Sequence, residues 1–164
     1  MHILLATDAD WIVDEVTAAL GDDDVHFTVC RDGRAVSRQV GERMPVLAIL
    51  DLQVGSMGAM AVTMALRLDE SAGVVDHVPV LMLLDRRADL HLARRSGAEG
   101  WLVKPLDALR LRRAADAILA GGIYTEGLPA DAVPVEPMVP LPEGADSGDG
   151  EPENSSEEEP ATTG

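Results

Sequence analysis

The run Pro45-Val-Leu-Ala-Ile-Leu-Asp51 decides the fold: five apolar residues behind a proline, closed by a single carboxylate. Val46 to Leu50 shows no polar alternation, which is the pattern of a strand covered on both faces in a parallel sheet. Asp51 then falls at the carboxyl end of that strand, the edge of an open α/β sheet where ligands and chemistry collect. The Leu-Gln-Val-Gly-Ser-Met-Gly that follows is a turn-rich loop leading into a helix.

Outward from this strand, the same alternation of short apolar runs and amphipathic segments covers the first three quarters of the chain. His2 to Ala6 reads as a first strand opening onto Thr7-Asp8-Ala9-Asp10, with Asp10 as cap of a helix from Trp11 to Leu20 that turns Ile12, Val16, Ala19 and Leu20 inward. Val25 to Val29 is a more polar strand, which places it toward a sheet edge, and Asp32 caps the next helix with Ala35, Val36 and Val40 facing in. Beyond Asp51 a helix starts at Met57 or Gly58 and ends near Ser71, its apolar residues being Met60, Val62, Met64, Ala65 and Leu68, with methionine as core filler. Pro79 to Leu84 is a fourth strand, followed by a short helix to Ser96 that Gly97 closes. Trp101 to Val103 is a fifth, opening onto Lys104-Pro105. Asp107 caps a last helix to Ala120, with Leu109, Leu111, Ala114, Ala115, Ile118 and Leu119 as its apolar positions. Five strands alternating with five helices predict a doubly wound parallel sheet.

At 164 residues the chain suits one domain of ordinary size, here residues 1–123, followed by a tail over 124–164. The net charge of −16 is concentrated in that tail: from Tyr124 onward there are eleven acids and no base, whereas residues 1–123 hold 18 acids against 13 bases. Seven of the ten prolines also lie there, so the tail is expected to be disordered and locally polyproline-like, a solubilising segment with partner binding as the sharper alternative. Neither part has the basic excess of a sequence-independent nucleic-acid binder, and no direct DNA contact is expected. No apolar run is long enough to span a membrane, no leader is expected, and the lone Cys30 has no partner for an internal disulfide, which together predict a cytoplasmic protein.

Three strand ends carry the chemistry. Lys104 is the only lysine among thirteen basic residues, and it stands at the end of the fifth strand, where a compact point charge suits an oxyanion better than a guanidinium fork does. Asp8 and Asp51 stand at the ends of the first and third. A strand-end acid alone is most simply a helix cap, but two acids and one lysine converging on one sheet edge make a phosphate or Mg²⁺ site. His2, His26, His77 and His91 lack metal-ligand spacing, Gly55-Ser56-Met57-Gly58 has the wrong glycine spacing for a nucleophile elbow, and no glycine-rich loop follows the first strand.

Asp8, Asp51 and Lys104-Pro105 at these strand ends, with Pro79-Val-Leu-Met-Leu and Gly97-Ala-Glu-Gly-Trp-Leu-Val-Lys-Pro, resemble the receiver domain of two-component response regulators over residues 2 to about 120. The resemblance implies a flavodoxin-like five-stranded fold with strand order 2-1-3-4-5 and a signalling role rather than an enzyme. Asp51 looks like the phosphoacceptor, Asp8, Asp51 and the backbone carbonyl of Gln53 like the Mg²⁺ ligands, and Lys104 like the residue pairing with phosphoryl oxygens. The implied partners are a histidine kinase or phosphotransfer protein, with a homodimer through the face of fourth helix, fifth strand and fifth helix. The chain departs from the pattern at Thr7, where a second acid is usual, at Leu84, where a hydroxyl residue is usual, and at Asp85, where a small one is; Trp101 holds the aromatic switch position. These departures weaken the switch and leave a second expectation open, a phosphorylation-independent pseudo-receiver used as a protein-interaction module. Asp85, facing the pocket, is expected to repel a phosphoryl group.

Overall fold

The computed structural model describes residues 1–126. Its strands are β1 (His2–Ala6), β2 (His26–Cys30), β3 (Leu47–Asp51), β4 (Val80–Leu84), β5 (Gly100–Val103) and β6 (Tyr124–Thr125). Its helices are α1 (Asp10–Leu20), α2 (Val36–Glu42), α3 (Ala59–Ser71), α4 (Leu90–Arg95) and α5 (Ala108–Leu119), with short 3-10 turns at Gly33–Ala35 and Arg87–Asp89 leading into α2 and α4. All strand pairs are parallel, in the order β2-β1-β3-β4-β5-β6.

Successive residues of a strand point to opposite faces, so each central strand feeds two cores. On one side Leu4, Leu50, Met82 and Trp101 pack with Val36, Val62 and Leu66, under α2, α3 and α4. On the other Ile3, Ile49, Leu81 and Leu102 pack with Ile12, Val16, Leu111 and Ile118, under α1 and α5. Every residue of β1, β3 and β4 is buried, which explains their unbroken apolar spelling, while the more polar β2 is an edge strand as expected.

The sixth strand corrects the expectation of five. Tyr124–Thr125 pairs with Gly100 and Trp101, so the folded part runs past residue 123. Gly100 permits this: a Cβ there would meet the Tyr124 carbonyl oxygen and Ile118 Cδ1 at 2.8 Å. Glu126 then bends back over the end of β5, its carboxylate accepting from the Val103 amide at 3.1 Å and from Arg110. Its backbone carbonyl accepts from the Trp101 indole N–H at 3.1 Å. From residue 127 the acidic, proline-rich segment lies outside the described residues.

Three smaller expectations also shift. Asp10 does not cap α1; it is the first helical residue and its carboxylate pairs with Arg31 at 2.6 Å. Asp32 and Asp107 do cap, accepting from the Arg34 and Arg110 amides. The buried stripe of α3 is Ala59, Val62, Thr63 and Leu66, whereas Met64 and Leu68 are 43% and 60% exposed, so Met64 is not core filler. Leu109 and Leu119 of α5 are exposed in the same way. In each helix a flanking apolar residue lies one step off the inward stripe, a difference of about 100° that composition alone does not register. Arg67, also on α3, ties the helix to the neighbouring strands: it donates twice to Glu99 at 2.8 Å and once to the Val78 carbonyl at 3.0 Å, and Glu99 accepts from the Val80 amide.

Two predictions follow the packing. Leu66→Ala should destabilise the fold by about 2–5 kcal/mol in urea unfolding, and Met64→Ala, two residues away on the exposed side of the helix, by no more than about 0.5 kcal/mol; equal effects would refute this orientation of α3. Burial tends to raise the Glu126 pKa, but its bonds from Arg110 and the Val103 amide, with the charges of Arg110 and Arg87, outweigh that and hold it below the usual value of 4.5. A carboxyl group depressed in the folded state adds stability above its unfolded pKa and loses it as pH falls through the folded value. The stability gap between the native chain and Glu126→Gln should therefore be full at neutral pH and close progressively below pH 4.5, as read by urea midpoints across an acid series.

Candidate functional site

The strand register assembles the site. Ala6 lies opposite Leu50, so the next residues outward, Thr7 and Asp51, come side by side at the carboxyl edge. Leu84 lies opposite Val103, which does the same for Asp85 and Lys104. Asp51 is 2% exposed. A carboxylate withdrawn from water needs partners for its oxygens, and it has three. The Thr7 hydroxyl donates to Oδ2 at 2.8 Å, the Lys104 ammonium donates to Oδ1 at 2.6 Å, and the Gln53 amide donates to Oδ1 at 3.3 Å.

Thr7 is itself fully buried and accepts from the Ala9 amide at 3.1 Å, so its hydroxyl is oriented from both sides. Lys104 divides its donors between Asp51 and Asp85, the second at 2.8 Å. Burial alone would lower the Lys104 pKa, but the bonds and charges of the two carboxylates prevail and raise it above the usual lysine value. The ammonium also lies 5.8 Å from the centre of the Trp11 ring, within reach of a cation–π attraction. The Lys104–Pro105 peptide is cis.

Asp8 is exposed at the same edge, and the loop after β3 passes close to it, a Cβ built on Gly55 falling 3.8 Å from Asp8 Oδ2. Asp8, Asp51 and the Gln53 carbonyl are all hard oxygen donors, and Mg²⁺ binds through one or two carboxylates with water and phosphate oxygens completing its shell. Two carboxylates and one carbonyl are the kind of donors Mg²⁺ takes. Among the described residues, no group of three or more His, Cys, Asp or Glu side chains gathers to hold a metal.

The structure thus brings together Asp51, Lys104 and Thr7, and sets Asp8 and Gln53 beside them. Leu84 and Trp101 are elsewhere: both are buried in the core under α2, α3 and α4, Trp101 with its N–H turned toward Glu126. Two features were missed in the sequence. Thr7, read only as an absent acid, is a hydrogen-bond donor to Asp51, and Asp85, expected to repel anions, is an ion-pair partner of Lys104. Extending the expected strand pairings by one residue would have exposed both neighbours, since each lies one position beyond a ladder end.

Among solved structures, the receiver domain of NtrX from Brucella abortus is 24% identical with a TM-score of 0.60, covering 72% of this chain and 98% of that one. The fold is that of a receiver domain. A LuxR-family two-component response regulator from Aurantimonas sp. is 22% identical with a TM-score of 0.65, covering 75% and 87% of the two chains. The chemotaxis response regulator CheY4 of Vibrio cholerae is 23% identical with a TM-score of 0.61, covering 70% and 95%. No family model and no curated protein matches the sequence. Among the described residues no helix is long and apolar enough to cross a membrane.

Thr7 gives the receiver edge its own test. Thr7→Val keeps the shape and removes the donor to a buried carboxylate, and should cost about 1.5–3 kcal/mol of stability in chemical unfolding. An unchanged midpoint would show that Asp51 does not depend on the hydroxyl.

Proposed function

We propose that this receiver fold serves two-component signalling, with Asp51 as phosphoacceptor and a histidine kinase or phosphotransfer protein as donor. The observation that carries the reading is the Lys104–Asp51 pair at 2.6 Å, a fixed cation against a buried carboxylate at the sheet edge. Phosphoryl transfer asks for positioning and charge neutralisation more than for covalent chemistry from the protein.

A carboxylate offers about four acceptor positions. Three are engaged by Thr7, Lys104 and Gln53, and the fourth is on Oδ2, where the attack on phosphorus is assigned. An Oδ2–phosphorus bond forms as the bond from phosphorus to the donor's histidine nitrogen, or to the acetate oxygen of acetyl phosphate, breaks and leaves its electron pair on the departing atom. Lys104 remains beside the new phosphoryl oxygens. Asp8 and the Gln53 carbonyl would hold Mg²⁺ together with Asp51, which would give up the long 3.3 Å bond from the Gln53 amide to do so, and the ion would supply charge neutralisation to the transferring group. The exposed Leu92 and Leu109 on α4 and α5 suit the dimer reading of that face.

The second reading, a phosphorylation-independent interaction module, draws on Lys104 being already shared by two carboxylates and on Leu84 carrying no hydroxyl. One experiment separates them. With Mg²⁺ and acetyl phosphate, intact mass should rise by one phosphoryl group, and the change should vanish in Asp51→Asn. Trp11 fluorescence is the optical reporter, since that ring, 48% exposed, stands over Lys104, whereas Trp101 is packed inside. No mass gain from a folded chain at millimolar Mg²⁺ would leave the interaction module.

A further inference from the structure

Lys104 has three N–H donors. One is spent on Asp51 at 2.6 Å and one on Asp85 at 2.8 Å, so a single cation serves two carboxylates. The two are held very differently. Asp51 is nearly sealed from solvent and also gripped by Thr7 and the Gln53 amide, whereas the Asp85 side chain is 31% exposed and lies just beyond the end of β4. Phosphoryl transfer to Asp51 would replace its single carboxylate charge with about 1.5–2 negative charges, spread over three oxygens beside the same ammonium. Asp85 is then the carboxylate free to leave for water, and repulsion gives it reason to.

Where Asp85 goes bears on the rest of the fold. Leu84, immediately before it, is fully buried in the core with Val54, Leu90 and Ala93, so position 84 has no donor with which to sense an anion. Asp85 is joined by one residue, Arg86, to the 3-10 turn Arg87–Asp89, which runs directly into α4. Arg86 in turn pairs with Asp89 at 3.3 Å. The Asp85 carboxylate thus stands at the head of a short segment that ends in α4, whose Leu90 and Ala93 pack in the same core as Leu84 and Trp101.

We propose that Asp85 is an internal anion gating Lys104: it occupies the ammonium until a phosphoryl group arrives at Asp51, and its expulsion moves the segment leading to α4. This rests on Asp51 being the phosphoacceptor and adds how acceptance is restrained and read out. The restraint is competition for Lys104. The readout is repulsion of a carboxylate, in place of attraction of a hydroxyl.

The test uses the full chain, with Asp85→Asn and Asp85→Ala against the native protein and Asp85→Glu as the variant that keeps a carboxylate. Because Lys104 is the only lysine, lysine-selective ¹³C labelling gives one side-chain signal that reports its anion contacts directly. Removing a charge-assisted competitor should speed acetyl phosphate-dependent mass gain at least about tenfold in Asp85→Asn and Asp85→Ala, with Asp85→Glu returning toward the native rate. At constant pH, inorganic sulfate should move the Lys104 signal in Asp85→Asn at concentrations that leave the native signal still. Native-like rates together with a native-like sulfate response in both variants would overturn the gate. A sulfate response confined to the variants, with no mass gain in any form of the folded protein, would leave Asp85 as the anion holding Lys104 and overturn both its phosphoryl-driven release and Asp51 as phosphoacceptor.

Discussion

The structure turns on one carboxylate held out of water. Because β3 is covered on both faces, its last residue inherits the burial of the strand, and Asp51 must find all its hydrogen bonds inside the protein. Each partner comes from a different place: Thr7 from the end of β1, the Gln53 amide from the turn that follows, Lys104 from the end of β5. The parallel register that aligns Ala6 with Leu50 and Leu84 with Val103 is therefore also what builds the site.

The charge balance of that edge follows from the same constraint. Lys104 is the single ammonium among Asp51, Asp85 and the outlying Asp8, and it is pinned by two of them. Placing Thr7 beside Asp51 substitutes a neutral donor where a second acid would have added another negative charge to a buried cluster. The result is a tighter and better satisfied carboxylate with fewer donors for a cation. For the proposed phosphoacceptor role, the contacts to be relieved are ones that already exist, above all that between Lys104 and Asp85.

The far side of the sheet shows how a short segment can finish a fold. β5 would end the sheet with unpaired backbone groups, a liability that proteins commonly cover. Here Tyr124–Thr125 covers part of it, and Glu126 satisfies the Val103 amide while engaging Arg110 and Trp101. Trp101 is thereby anchored through its N–H rather than left at the surface. At the opposite ends of β4 and β5, the Arg67–Glu99 pair holds α3 against the strands. The site edge is thus mounted on strands fastened at both ends.

The unbroken apolar runs of β1, β3 and β4, the glycine stops and the Asp32 and Asp107 caps were legible in the sequence, because burial on two faces and capping leave local signatures. So was the meeting of Asp51 and Lys104 at one edge, since parallel topology sends every strand end there. The identity of the inward stripe on α3, the pairing of Tyr124–Thr125 and the departure of Asp10 to Arg31 were not, because each depends on a neighbour distant in the chain. The same holds for the site's finer chemistry. By itself the sequence determined which charged residues reach the sheet edge; only the tertiary structure decided that Thr7 donates to Asp51 and that Asp85 shares Lys104. The strands and their parallel sense follow from local pattern, but which side chains touch across the sheet is set by register and by the need of a buried charge to be satisfied.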